Sequence, residues 1–214
     1  MDFINQAIQD YCDQNTKAES DALQKINRHT HANVLQPRML SGHFQGRFLA
    51  MISHMIKPKY VLEIGTYTGY SAICLAEGLQ AGGKLITIDV NDEREELVNN
   101  HISQANLIDK IEHIIGDASE IINTLDIPFN LVFIDADKPN YPKYYELVMN
   151  KITSGAFILI DNVLWSGKVV NQKDLVKDND TQILHSLNEE IQKDDRVENI
   201  LLPIRDGLML VRKL

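Results

Sequence analysis

Apolar residues recur along this chain in two rhythms. As far as about residue 57 the spacing is helical. Phe3, Ile4, Ala7, Ile8 and Tyr11 return every three or four positions, and Leu23, Ile26 and Val34 form a looser second set. Residues 2–35 therefore read as two helices, broken at Gln14-Asn15-Thr16. Pro37 is expected to end the second, because the residue before a proline avoids the helical region. Arg38 to Gly42 reads as a loop. A third helix follows with Phe48, Leu49, Met51, Ile52 and Met55 on its apolar side, stopped by Pro58.

From Lys59 onward short apolar runs alternate with helical patterns. Strands are expected at 59–64, 84–89, 110–115, 129–135 and 155–161, and helices at about 70–79, 92–106, 118–125 and 141–151. That alternation predicts an α/β fold with right-handed crossovers and helices on both faces of a parallel sheet. The last part differs. A helix at about 179–193 precedes Val197–Leu202, the turn Arg205-Asp206-Gly207, and Leu208–Val211. Asp-Gly between two strand patterns signals a hairpin. The expectation is a Rossmann-like, doubly wound, mostly parallel sheet of seven strands, closed by an antiparallel strand at the carboxyl end. It forms one domain over 1–214, with 1–57 a helical extension and 58–214 the core. The extension is too small to hold a core alone, so it must pack on this domain or on a second subunit.

The chain is organised around Val61-Leu62-Glu63-Ile64-Gly65-Thr66-Tyr67-Thr68-Gly69-Tyr70-Ser71, a buried strand running into a glycine turn and a helix. Gly65 permits a sharp turn and close approach of a ligand. Thr68 or Ser71 is expected to cap the helix. Such a turn places a ligand at the carboxyl end of a parallel strand. Tyr67 stands where a dinucleotide fingerprint needs its second glycine, and there is no phosphate loop, so no pyrophosphate cradle is expected. Asp89 ends the next strand, roughly 20 to 25 residues past the turn, where a ribose-binding acid belongs. A ribose-bearing cofactor without a pyrophosphate points to S-adenosylmethionine. The plainer alternative is a βαβ turn with a solvated aspartate.

Composition narrows the function classes. Net charge is −9 with no long basic run, so neither nucleic acid nor an anionic membrane is an expected partner. The two cysteines, Cys12 and Cys74, are isolated, which fits a reducing compartment and no thiolate metal site. No apolar run approaches the roughly 20 residues of a membrane span, and the start lacks the pattern of a leader. A cytoplasmic protein is expected.

The fourth strand ends in Asp135 and the fifth in Asp161-Asn162. If the two strands are neighbours, two carboxylates and an amide oxygen converge beside the Gly65 turn. That donor set suits a hard divalent cation, Mg²⁺, Ca²⁺ or Mn²⁺. The plain reading is that aspartates end strands because they favour turns. A calcium loop starting at Asp135 is excluded, since its sixth position is Asn140 and its fifth Pro139. Lys138, near a cation and a sulfonium, would have its charged form disfavoured and serve as a base, against the plain reading of a solvated lysine. The seven histidines show no ligand spacing, and His43 lies nearest the site loop. Trp165 and Tyr141 could wall an aromatic substrate or fill the core.

Taken together, these residues resemble the cation-dependent class I O-methyltransferases of the catechol and caffeoyl-CoA type, from about Met39 to Leu214. The specific segments are Leu62 to Ser71, Gly116-Asp117-Ala118, Phe133 to Tyr141, Asp161 to Gly167, and Leu202-Pro203-Ile204 before Asp206-Gly207. The resemblance implies that Glu63, Gly65, Tyr70 and Ser71 bind S-adenosylmethionine, with Met39 and Ser41 covering it. It implies Asp89 on the ribose hydroxyls, and Asp117 and Ala118 against the adenine. Asp135, Asp161 and Asn162 would hold the cation, with Asp135 nearest the methionine portion. Lys138 and Asp135 would be the catalytic residues, the acceptor a small aromatic hydroxyl compound, and the protein a homodimer. Two departures bear on the acceptor. Gln45-Gly46-Arg47 stands where relatives often have Glu-Gly-Gln, and Lys168 to Thr181 matches no acceptor pattern. Two rivals remain at this level: a nicotinamide-dependent dehydrogenase, disfavoured by Tyr67, and a non-catalytic S-adenosylmethionine-binding protein, disfavoured by Asp135, Asp161, Asn162 and Lys138.

Overall fold

Leu131, Val132, Phe133 and Ile134 are all fully buried, and they define the strand at the centre of the molecule. In a strand successive side chains face opposite sides, so a run apolar at every position needs cover on both faces. The computed structural model, which describes residues 5–214, supplies that cover with helices on each side.

The strands are β1 (Tyr60–Ile64), β2 (Lys84–Asp89), β3 (Ile111–Ile115), β4 (Phe129–Ile134), β5 (Ile152–Asp161), β6 (Val197–Leu202) and β7 (Leu208–Lys213). The helices are α1 (Gln6–Gln14), α2 (Asp21–Asn33), α3 (Gly42–Ile56), α4 (Tyr70–Ala76), α5 (Glu95–Gln104), α6 (Ala118–Thr124), α7 (Tyr141–Met149), α8 (Gln172–Lys177) and α9 (Asn179–Lys193). The sheet order is β3-β2-β1-β4-β5-β7-β6. The first five strands are parallel, and β7 is antiparallel to both β5 and β6. The antiparallel strand β7 comes at the carboxyl end of the chain, as expected, and lies between β5 and β6, which leaves β6 at the edge. Each face has its own core. Leu62, Ile64, Val132 and Ile134 pack with α6, α7 and α9, while Val61, Leu131 and Phe133 pack with α2 to α5. Each fully buried side chain of this kind stabilises the fold by about 1.5–3 kcal/mol.

The N-terminal helices pack on this domain. Leu23 and Ile26 of α2 are fully buried in the core that holds Tyr70 and Leu75, whereas α1 buries nothing. Phe3 and Ile4 of the first helical pattern lie outside the described residues. Several boundaries moved for local reasons. The second helix stops at Asn33, because Val34 is extended and Gln36 left-handed, and Pro37 opens a single 3-10 turn instead. α4 stops at Ala76 rather than near 79, since Gly78 lies against the backbone of Ser53. Neither Thr68 nor Ser71 caps α4; Gly69 occupies the cap with φ 81° and makes no side-chain bond. β5 begins at Ile152 rather than 155. Gly155, at φ 84°, carries the chain through the register shift against β4 between Phe129 and Leu131.

The chain leaves β1 toward β2 on one side and meets β4 on the other. At such a reversal a crevice opens beyond the strand ends, and ligands of open α/β sheets bind there. Ile64 and Gly65 end one lip, and Ile134 and Asp135 the other.

Candidate active site

Gly65 is required where the two lips touch. Its φ is 96°, and a Cβ there would overlap the carbonyl of Asp135. Asp135 N–H donates to the Ile64 carbonyl at 2.9 Å, locking the lips together. Above them lies a cavity of about 1010 Å³.

One half of the cavity is built on the glycine turn. Asp89 Oδ2 accepts from Thr66 N at 3.1 Å and Tyr67 N at 2.9 Å, and Oδ1 accepts from Asn91 N at 2.9 Å. The carboxylate therefore holds the turn and still has lone pairs facing the cavity that it lines. Asp117 caps α6, with Oδ1 accepting from Ser119 N at 2.7 Å; the Ser119 hydroxyl first and this backbone bond second lower its pKa. Asp117, Ala118, Gly65 and Met39 all line the same cavity.

Four residues expected around the cofactor are buried and are not among those that line the cavity. Tyr70 is buried, with its hydroxyl donating to Glu19 Oε1 at 2.5 Å. Ser41 is buried, and its carbonyl accepts from Arg205. Glu63 and Ser71 are buried behind the turn and are not among the lining residues. Strand alternation explains Glu63: Leu62 and Ile64 take one face, which turns Glu63 into the layer beside α4. There Thr87 Oγ1 donates to Glu63 Oε2 at 2.5 Å, while Oε1 has no partner among the described residues. Burial pushes the Glu63 carboxyl up to about 8, and the hydroxyls of Ser71 and Thr87 only partly oppose this.

The other half carries Asp135, Lys138, Asp161 and Asn162, all lining the cavity. β4 and β5 are neighbours, so their terminal residues come together as expected. Asp161 is buried; its pKa is pushed up to about 7 by desolvation first and by Asp135 second. Gln45 Nε2 donates to Asp161 Oδ2 at 2.6 Å. Asn162 is held at φ 62°, a left-handed conformation that asparagine tolerates better than most residues. Lys138 Nζ donates to Asn162 Oδ1 at 2.8 Å, Asp135 Oδ1 at 3.3 Å, the Ala136 carbonyl at 3.1 Å and Tyr141 Oη at 2.5 Å. In this arrangement the Lys138 ammonium, with three N–H bonds, donates among four acceptors.

The donor set fits a hard divalent cation. Two carboxylates and an amide oxygen meet there, and the Lys138 ammonium already draws on Asp135 and Asn162. Tyr141 is fully buried and belongs to the core, so only Trp165 of the expected aromatic pair lines the cavity. None of the seven histidines lines it. His43 bonds to the Lys17 carbonyl, and His101 Nδ1 lies 2.9 Å from the Thr68 carbonyl behind the turn. Gln45 and Arg205 are the site residues without a role in the sequence reading. Gln45 stood out there only as a departure from relatives, and Arg205 only as part of a hairpin turn. Among the described residues no helix is long and apolar enough to cross a membrane.

Comparison with known proteins agrees with this geometry. The family model described as O-methyltransferase matches residues 13–214. The probable caffeoyl-CoA O-methyltransferase 2 of Dictyostelium discoideum is 33% identical over 217 residues, covering 99% of this chain and 91% of that protein. Caffeoyl-CoA O-methyltransferase 1 of Eucalyptus globulus is 34% identical over 179 residues, covering 79% of this chain and 73% of that protein. The O-methyltransferase of Bacillus cereus, solved with S-adenosylhomocysteine, superposes with a TM-score of 0.87 at 30% identity, over 97% of each chain. The dehydrogenase alternative falls with these matches. A nucleoside-sized crevice without a pyrophosphate cradle, a family match over residues 13–214 and cofactor-bound structural relatives converge: the chain belongs to the S-adenosylmethionine-dependent O-methyltransferase family of caffeoyl-CoA O-methyltransferase type.

Proposed function

We propose that this enzyme methylates one hydroxyl of a vicinal dihydroxy aromatic compound, with a divalent cation held by Asp135, Asp161 and Asn162. The observation that carries the reading is the meeting of these three oxygen-bearing side chains in the cavity that Gly65 and Asp89 line. S-adenosylmethionine supplies an activated methyl group on a sulfonium sulfur. A phenol with pKa about 10 is a weak nucleophile at neutral pH. The cation, when bound, supplies a Lewis acid that lowers that pKa and favours two adjacent oxygens over one.

The chain's own residues do the rest. Asp89 accepts from the ribose hydroxyls while bracing the turn. Asp117 and Ala118 lie along the adenine, and Met39 covers the cofactor from the N-terminal loop. Trp165 flanks the aromatic ring. Lys138 is the candidate base: its neutral amine, having released its ammonium proton to solvent, would take the proton of the phenol. Held in line, the phenolic oxygen forms the C–O bond as the C–S bond breaks, and the electron pair leaves on sulfur. Incubation with S-adenosylmethionine, Mg²⁺ and catechol, followed by mass spectrometry, tests the proposal. Monomethylated product is expected. Absence of product across a panel of vicinal diols, from protein that binds S-adenosylhomocysteine, would end it.

A further inference from the structure

Arg205 stands in the turn between β6 and β7, on the wall of the cavity shared by Asp161, Asn162 and Trp165. Its backbone is left-handed, with φ 49°. A long side chain keeps that conformation only where its surroundings over-determine it. The Asp206 carbonyl accepts from Leu164 N at 2.9 Å and the Gly207 carbonyl from Val163 N at 3.2 Å. The Asp206 carboxylate also accepts from Ser166 N. The turn is thereby laced to the loop that follows β5 and carries Asn162 and Trp165.

The side chain is fixed as well. Arg205 Nη1 donates to the Ser41 carbonyl and, at 3.1 Å, to Gln45 Oε1. The second bond orients the Gln45 amide so that its nitrogen faces Asp161. The remaining donors of the guanidinium, on Nε and Nη2, have no partner among the described residues, and Arg205 is in none of the ion pairs found there. Nε–H and one Nη2–H run parallel along one edge, the fork that grips an oxyanion in bidentate fashion. Arg38 and Arg94 also line the cavity, the latter 4.9 Å over the Tyr67 ring, but the two lysines that line it with Asn162 and Trp165 are engaged. Lys138 is surrounded by four acceptors, and Lys168 pairs with Asp178 at 2.6 Å.

We infer that Arg205 selects acceptors that carry an oxyanion, and specifically a carboxylate on the substituent of the aromatic ring. This rests on the vicinal-diol reading above and names the class of diol. The guanidinium of this exposed residue is anchored through one nitrogen and leaves its other edge free for an acceptor, so little reorganisation is needed on binding.

The test compares caffeate, its methyl ester, dopamine and caffeoyl-CoA as acceptors with S-adenosylmethionine and Mg²⁺. The wild type should favour caffeate over the ester by about tenfold to hundredfold in kcat/KM. Arg205→Leu should bring that ratio close to one, and Arg205→Glu should turn the preference toward dopamine. Because the ratio is taken within each protein, losses of stability or of the Gln45 contact cancel. Equal use of acid and ester by the wild type, or a ratio that survives Arg205→Leu, would overturn the inference. So would an Arg205-dependent gain confined to caffeoyl-CoA, which would place a phosphate and not a ring-borne carboxylate in the fork. Calorimetry of caffeate and ester in the presence of S-adenosylhomocysteine separates the two proposals. An Arg205-dependent preference in binding without turnover leaves the carboxylate site standing and defeats the diol chemistry. Turnover of catechol without any preference does the reverse.

Discussion

Lys138 Nζ lies 2.8 Å from Asn162 Oδ1, and the same ammonium reaches Asp135 Oδ1 at 3.3 Å. A cation held as proposed would draw on the same two oxygens as the lysine and would displace it from them. Lys138→Met removes both the competitor and the base. The expected outcome is a split: Mn²⁺ affinity, read by titration calorimetry, is kept or raised, while kcat falls by about 10²–10⁴-fold. A Lys138→Met protein with undiminished kcat would show that the base lies elsewhere.

Asp89 combines two tasks, since it accepts from Thr66 N and Tyr67 N and also lines the cavity. Asp89→Ala should weaken S-adenosylhomocysteine binding by about 1.5–3 kcal/mol, on the order of tenfold to a hundredfold. Calorimetry on the folded variant measures it directly. Unchanged affinity would remove Asp89 from the ribose.

Glu63 makes stability depend on pH. Its pKa is about 8 in the folded chain against 4.5 as the ordinary value. Below pH 4.5 folded and unfolded chains are both protonated there, and the contribution is fully present. As pH rises toward 8 the unfolded chain ionises first, so stability falls, and it levels once the folded carboxyl ionises. The loss is on the order of 5 kcal/mol at most. Urea unfolding across this range should show the fall in the wild type and a flatter profile in Glu63→Gln. Parallel profiles would mean that Glu63 does not titrate in that window.

The legible parts of the sequence were those governed by local rules. The run Leu131 to Ile134 announces a doubly covered strand, and Gly65, Asp89, Asp135, Asp161 and Asn162 are read from their places at strand ends. What stayed hidden depends on distant contacts or on which way a buried side chain turns. Gln45 meets Asp161 across 116 positions, and Arg205 meets Gln45 across 160, so no window along the chain contains either pair. Glu63 sits in the most recognisable motif of the chain, yet strand alternation turns it behind the cavity. Tyr141 follows Lys138 by one helical turn and looks available to a substrate. Only the packing of α7 shows it fully buried beneath the lysine. The insertion of β7 between β5 and β6 is equally invisible, because a hairpin signal fixes which strands pair but not which of them joins the sheet.

The central claim is that Asp135, Asp161 and Asn162 hold a cation on which the chemistry depends. The most direct measurement is the initial rate of methyl transfer to catechol by EDTA-stripped protein, before and after Mg²⁺ is restored, with Asp161→Ala in parallel. The stripped wild type should be silent and regain its rate with Mg²⁺. Asp161→Ala should stay silent in both conditions while still binding S-adenosylhomocysteine. A stripped protein that methylates catechol at the full rate would contradict the account.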